Sequence, residues 1–295
     1  MAQTLFGVQS SLNFLWSPSF YNLHLTGPAL GIIALLLCVV LFLFRAKRID
    51  RFAASLFVPC VLCVSFAAAL NYTMCNMNPV HASERPALPT TYALRLNEPL
   101  GADSFPSAAA WQKAPAIKFD QDWKAENPDP QRATEVRLLW TPETLYLRFH
   151  CNYQTIFVFP DARPDGWRYE LWNRDVAETF LQPDSTDAFV YREFEVSPNG
   201  YWIDLAVSHR KIEELHSGLR RRVVMDEKSK TWTAELAIPM KYLTTQFDPK
   251  HAWRANFYRI EGESEPRFYS AWSPTFTPKP SFHVPSAFGT LEFHD

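Results

Sequence analysis

The chain has 295 residues, and its charged side chains lie almost entirely after residue 83. Four basic residues and Asp50 are the only charges before Glu84. The region from Glu84 onward therefore carries 25 basic and 30 acidic side chains, a net charge of −5. This acidic balance argues against non-specific nucleic-acid binding, which requires a basic surface.

Two apolar runs dominate residues 1–75, which we predict to form a membrane or signal region. Residues 27–44 are an uncharged run of about 18 residues, near the minimum for a membrane-spanning helix, and residues 52–70 form a second run. The basic cluster at residues 45–51 belongs on the cytoplasmic side, because Lys and Arg near a span resist translocation. Everything after Leu70 is then extracytoplasmic, in the periplasm or at the cell surface.

The same residues also fit a cleaved signal peptide. If translation starts near Arg45, residues 45–51 form the basic region, residues 52–70 the apolar region, and Ala67–Ala69 a small-residue cleavage site. A third alternative makes both runs buried core helices, although their length and uncharged flanks favour a membrane. The first two interpretations both export the C-terminal part, and they leave open whether the anchor is retained.

A proline-containing linker over residues 76–91 is predicted to precede a domain of short strands over residues 92–295. Residues 134–140 and 145–149 alternate around a turn, and residues 188–196 and 201–207 do so around Ser-Pro-Asn-Gly, so both pairs predict hairpins. Further strands are predicted at residues 231–238, 253–260 and 289–293. The fold class is therefore all-β, a jelly-roll-like β-sandwich preceded by two hydrophobic helices.

The segment Asp165–Phe180 places several Trp and Tyr residues beside carboxylates and arginines. This composition suits sugars, whose C–H faces stack on aromatic rings while charged planar groups hydrogen-bond their hydroxyls. The tryptophans inside predicted strands are better explained as core residues. Trp167 and Trp172, in a polar loop, are explained equally well as core or as binding residues.

Other chemistry receives less support from the residues. A glycoside hydrolase requires two carboxylates at a fixed separation across a cleft, and Glu178 and Glu195 are candidates, but sequence does not give their separation. The histidines lack the spacing of metal ligands, and no Met/His pair suggests haem. Acidic loops could supply oxygen ligands for calcium.

The sequence over about residues 92–293 resembles the family 9 carbohydrate-binding modules, in their family 9-like branch. The resemblance rests on five segments in the same order and spacing, at residues 172–180, 194–200, 232–239, 253–260 and 271–289. It implies a β-sandwich with structural calcium and no organic cofactor. It also implies two aromatic residues that clamp a terminal sugar, corresponding here to Trp172 and Phe282.

The resemblance extends to the polar ligand-binding residues. Glu178 matches the family's acidic contact, and Asn256 and Tyr258 lie on the strand that faces the same site, with Tyr258 in place of an amide. Glu195 stands where the family has a sugar-contacting arginine. This reversal of charge removes the basis for predicting a particular sugar. Asp175 completes the predicted ligand-binding residues, and no catalytic residue is predicted.

These observations predict an exported, membrane-anchored module that binds mono- or oligosaccharide ends without chemistry of its own. Such modules assist polysaccharide recognition or catabolism, so a separate glycoside hydrolase is the expected partner. One alternative is a β-sandwich that has lost sugar binding and contacts another protein at the envelope. The other is a glycoside hydrolase.

Overall fold

The structure is a computed structural model. It describes residues 39–41, 44–48, 51–55, 61–66, 69, 73, 86–101, 103–161, 166–209 and 211–295. The chain separates into two compact units, Met1–Pro86 and Ala87–Asp295.

The described residues of the first unit are short helical pieces, including helix α1 (Arg51–Ser55). Within the ranges given above, no helix combines the length and the apolar character needed to cross a membrane. The predicted apolar helices at residues 27–44 and 52–70 lie largely outside the described residues.

The second unit is built mainly from β-strands, which confirms the all-β prediction. Its one α-helix among the described residues, α2 (Ala108–Lys113), is capped by the Ser107 hydroxyl, which accepts a hydrogen bond from the Ala110 amide. The strands are β1 (Thr90–Arg95), β2 (Ile117–Phe119), β3 (Thr134–Trp140), β4 (Thr144–Asn152), β5 (Val176–Gln182), β6 (Val190–Val196), β7 (Trp202–Ser208), β8 (Lys211–Glu214), β9 (Arg220–Asp226), β10 (Thr231–Pro239), β11 (Trp253–Glu261), β12 (Phe268–Ala271) and β13 (Gly289–His294).

The thirteen strands found among the described residues join one continuous sheet. Eleven run in the order β8-β7-β6-β5-β11-β13-β1-β3-β4-β10-β9, while β12 pairs with β11 and β2 with β3. The predicted hairpins form as β3–β4 and β6–β7. Gly200 has φ of +89° in the second hairpin's turn, a conformation that favours glycine.

The sheet curls so that its two halves pack face to face. Phe149 on β4 and Phe257 on β11 have ring centroids 6.5 Å apart, although three strands separate β4 from β11 in the sheet. Both halves contribute to one apolar core, which also buries the strand tryptophans Trp140, Trp232 and Trp253. This packing is that of a β-sandwich.

The first and last strands of the domain lie side by side. β1 pairs in parallel with β13, from Thr90 opposite Thr290 to Leu94 opposite His294. β1 therefore begins two residues before the predicted domain start, because these β-branched threonines find a partner strand. Gly289 permits this approach, since a Cβ there would lie 2.6 Å from the Pro89 carbonyl oxygen.

Side chains alternate between the two faces of β5. Ala177 and Leu181 enter the sandwich core, whereas Val176 and Phe180 point to the opposite face and join a second apolar cluster with residues of β6, β7 and β11. The candidate site lies on this opposite face.

Candidate functional site: an aromatic and acidic cavity

A cavity of about 310 Å³ opens on the face of the sheet formed by β5, β6, β7 and β11. Four aromatic side chains contribute to its walls, namely those of Trp172, Phe180, Tyr269 and Phe282. Three glutamates also line it, as do His283, Pro280 and Ser281 from one loop. The cavity thus combines apolar rings with carboxylates.

The register of two strands brings the three glutamates together. Glu178 on β5 stands directly opposite Glu195 on β6, and Glu193 lies two residues before Glu195, so all three share one face. One carboxylate oxygen from each of the three lies within 4.8 Å of those from the other two. We refer to Glu178, Glu193 and Glu195 as the carboxylate cluster.

The carboxylate cluster is removed from solvent. Glu178 is 2% exposed and Glu195 is fully buried, and burial raises the pKa of both carboxyls well above the ordinary range. Repulsion from the neighbouring carboxylates raises both pKa values further. Burial also raises the pKa of Glu193 to about 7.

Several oxygens of the cluster receive no hydrogen bond from any described residue outside the cluster. These are Oε1 of Glu178, Oε2 of Glu193 and both oxygens of Glu195. Arg267 lowers the pKa of Glu178 but donates its own N–H groups to the backbone carbonyls of Gly262, Trp172 and Arg174. Burying unpaired carboxylates is costly, so a feature of this kind calls for a ligand, a proton or an ion.

Trp172 forms one aromatic wall from a short 3₁₀ turn, Leu171–Asn173, that immediately precedes β5. Its side chain is half-buried, packs against the second apolar cluster and meets Tyr169 edge-on at 5.4 Å between ring centroids. The Arg267 guanidinium donates a 2.9 Å hydrogen bond to the Trp172 carbonyl. The turn is therefore fixed while part of the indole remains available.

Phe282 forms another wall from the loop that follows β12. One face of its ring stacks on Tyr258 at 4.1 Å and 11°, and the Tyr258 hydroxyl donates a 3.0 Å hydrogen bond to the Phe282 carbonyl. Phe282 is only 7% exposed. It can therefore offer a ligand much less ring surface than Trp172.

The structure brings four of the seven predicted ligand-binding residues to this cavity: Trp172, Phe282, Glu178 and Glu195. The other three are fully buried behind it. Tyr258 supports Phe282 from behind, as described above. Asn256 accepts hydrogen bonds from the Phe257 and Ser273 amides, and Asp175 accepts them from the Phe157 and Gly262 amides.

The cavity also contains residues that were not predicted to belong to the site. Glu193 alternates with Glu195 on one strand, so period-2 reasoning alone would have placed both on one face. Tyr269 comes from β12, a four-residue strand with no clear pattern. His283 accompanies Phe282, and its Nδ1 lies 2.7 Å from the Tyr191 hydroxyl.

The fold and the cavity together define a β-sandwich with an aromatic and acidic cavity on one sheet face. Residues 123–293, more than half of the chain, match the family model of carbohydrate-binding family 9. The chain belongs to this family. Residues 1–77 match a different family model, that of the TspO/MBR family.

Individual relatives cover different shares of the chain. An "Extracellular protein" of Arthroderma benhamiae is 28% identical over 198 residues, covering 60% of this chain and 85% of that protein. The tryptophan-rich protein TspO of Chlorobaculum tepidum is 36% identical over 78 residues, or 25% of this chain and 48% of TspO. The chain thus spans about half the length of TspO.

A solved structure of similar fold comes from Bacteroides uniformis, where it is described as a candidate carbohydrate-binding protein. It superposes with a TM-score of 0.58 at 16% identity, covering 70% of this chain and 100% of that one. At this identity the likeness concerns the fold alone.

Proposed function

We propose that Ala87–Asp295 is a non-catalytic carbohydrate-binding module that holds the end of a mono- or oligosaccharide in the cavity beside Trp172. The observation that carries this proposal is the meeting of an accessible indole with unpartnered carboxylate oxygens, in a chain of carbohydrate-binding family 9. Sugars present an apolar C–H face and several hydroxyl donors, which match these two surfaces.

The two surfaces act in different ways. The Trp172 ring supplies apolar contact area at low entropic cost, because an indole has few rotatable bonds and this one is already held by its neighbours. Carboxylate oxygens of Glu178 and Glu195 accept hydrogen bonds from hydroxyls and so fix the sugar's orientation. Unpaired buried acceptors also disfavour ligands without hydroxyls.

The arrangement of the carboxylates favours binding over hydrolysis. A glycoside hydrolase places its two carboxyl groups on either side of the glycosidic bond. Glu178 and Glu195 instead stand side by side on adjacent strands and point in the same direction. The concave cavity likewise favours a small ligand over the flat contact that a protein partner would make.

We further propose that the module is exported and tethered to the membrane by residues 1–75. The apolar runs and the basic cluster between them support this placement, as does the "Extracellular protein" relative. In such a position the module would keep polysaccharide ends close to a separate glycoside hydrolase and raise the local concentration of its substrate.

A glycan array probed with the full chain tests the proposal, followed by affinity measurements on Trp172→Ala. We expect the variant to bind about five- to thirtyfold more weakly, since loss of a stacking ring costs roughly 1–2 kcal/mol. Phe189→Ala is the matched control, because this ring is 56% exposed and does not line the cavity.

Two results would redirect the proposal. A folded protein that binds no glycan would favour a sandwich that contacts another protein. Release of reducing sugar that disappears in Glu178→Gln would establish a hydrolase instead.

A further inference from the structure

Within the part of the chain that the structure describes, no positively charged side chain forms a close ion pair with the carboxylate cluster. The His283 imidazole approaches Glu193 only to 4.0 Å, and its Nδ1 is engaged with the Tyr191 hydroxyl. The N–H groups of Arg267 point to backbone carbonyls. Three carboxylates thus converge below the cavity with little positive charge beside them.

The second and decisive observation concerns the surroundings of the two Glu195 oxygens. Glu195 is fully buried and lines the cavity, yet among the described residues its only hydrogen-bond neighbour is the Glu193 carboxyl, and no group outside the cluster donates to either oxygen. A buried carboxylate that serves only the fold is normally hydrogen-bonded, as Asp175 is to two amides. The Glu195 oxygens are therefore available to an additional atom.

The distances between these oxygens match the distances between oxygen ligands of a single metal ion. Calcium lies about 2.3–2.6 Å from its oxygen ligands, so two ligands of one ion are separated by at most about 5 Å. One oxygen each from Glu178, Glu193 and Glu195 falls inside this limit, with 4.8 Å or less between any two of the three. Carboxylate ligands without sulfur select hard cations such as Ca²⁺, Mn²⁺ or Mg²⁺.

We propose that Glu178, Glu193 and Glu195 bind a hard divalent cation at the base of the cavity. Each glutamate supplies a ligand from one sheet face, and the cation offsets the repulsion among them. Because three side chains do not fill six or more coordination positions, the remaining positions face the cavity. If the proposed carbohydrate function holds, neighbouring hydroxyls of the sugar occupy them.

The first experiment titrates chelator-stripped full chain with Ca²⁺ and Mn²⁺ by calorimetry, and with Tb³⁺ by luminescence sensitised through nearby tryptophan. We expect Glu195→Gln to weaken binding about tenfold or more, because removing a ligand costs at least as much as removing a group that supports one. Glu292→Gln is the matched control. Glu292 is a partly exposed glutamate on β13 that does not line the cavity, and it is paired with His294.

Stability measurements separate loss of the site from loss of the fold. In chelator, Glu195→Gln should melt no lower than the wild type, because it keeps the shape of the side chain and removes a carboxyl whose ionised form is disfavoured by burial and by its two neighbours. Adding Ca²⁺ should raise the melting temperature of the wild type but not of the variant. Should Glu195→Gln fail to fold, Glu178→Gln provides the same comparison.

The outcomes distinguish the cation site from the proposed function. Equal affinity in the wild type and both glutamine variants would place any cation elsewhere and overturn the inference, as would no binding of any of the three ions. Cation binding without binding of any glycan would leave the site standing and remove the carbohydrate proposal. Glycan binding that is unchanged in chelator would show that sugar hydroxyls do not coordinate the cation.

Discussion

The pH dependence of stability offers a direct measure of the electrostatic cost of the carboxylate cluster. In cation-free protein the Glu193 carboxyl has a pKa of about 7, against 4.5 for an unperturbed glutamate. Between these values the unfolded chain releases a proton that the folded chain keeps. The contribution of Glu193 to the free energy of unfolding is therefore fully present below pH 4.5 and is lost as the pH rises through 7.

The shift sets the size of the effect. A difference between 4.5 and about 7 corresponds to about 3 kcal/mol for Glu193 alone. For a domain of this size, about 3 kcal/mol lowers the melting temperature by roughly 6–12 °C. Glu178 and Glu195 act in the same direction, because their pKa values are also raised.

Urea unfolding at pH 5 and pH 8, in the presence of chelator, measures this difference. Tryptophan fluorescence is a suitable signal, because of the ten tryptophans only Trp16 precedes the second unit. We expect the wild type to lose roughly 2–3 kcal/mol more than Glu193→Gln between the two pH values, because part of the full difference is already lost at pH 5. Equal pH dependence in both proteins would show that Glu193 ionises normally and would refute this reasoning.

Two further predictions concern the scaffold. Gly289→Ala should lower the free energy of unfolding by about 1–3 kcal/mol, because its Cβ would collide with the Pro89 carbonyl oxygen. Thermal melts measure this loss, and an unchanged melting temperature would contradict the close packing. Arg259→Met should cost about 3–5 kcal/mol in urea unfolding, because it leaves Glu261 buried without its 3.1 Å ion-pair partner. The double variant with Glu261→Gln should recover part of that loss, and no recovery would show that the pair is not the cause.

The sequence predicts strands best where one side of the strand is polar and a turn follows. β3 is found at Thr134–Trp140 as predicted, and the β6–β7 hairpin closes at its Ser-Pro-Asn-Gly turn. β8 was not predicted, because all four of its residues are exposed and alternation gives no signal. The boundaries of β5 were not predicted either, because every residue in it is buried.

The candidate site depends on contacts that sequence patterns do not encode. Resemblance identified Trp172 and Glu178, but only the pairing of β5 with β6 shows that Glu195 is the direct neighbour of Glu178. Tyr258 shares the cross-strand row of Glu178, yet its ring supports Phe282 from behind. Cross-strand register and side-chain packing decide these positions, and both arise from tertiary structure.

The parallel pairing of β1 with β13 has a mechanical consequence. Tension transmitted through the chain before Thr90, against a polymer held in the cavity, would pull β1 along its own axis. Five residue pairs to β13 and two to β3 would then be loaded together in shear, since parallel ladders space their hydrogen bonds evenly. Single-molecule pulling from the N-terminal side should therefore require a high rupture force to detach β1. A low force that unzips the strand pairs one at a time would contradict loading in shear.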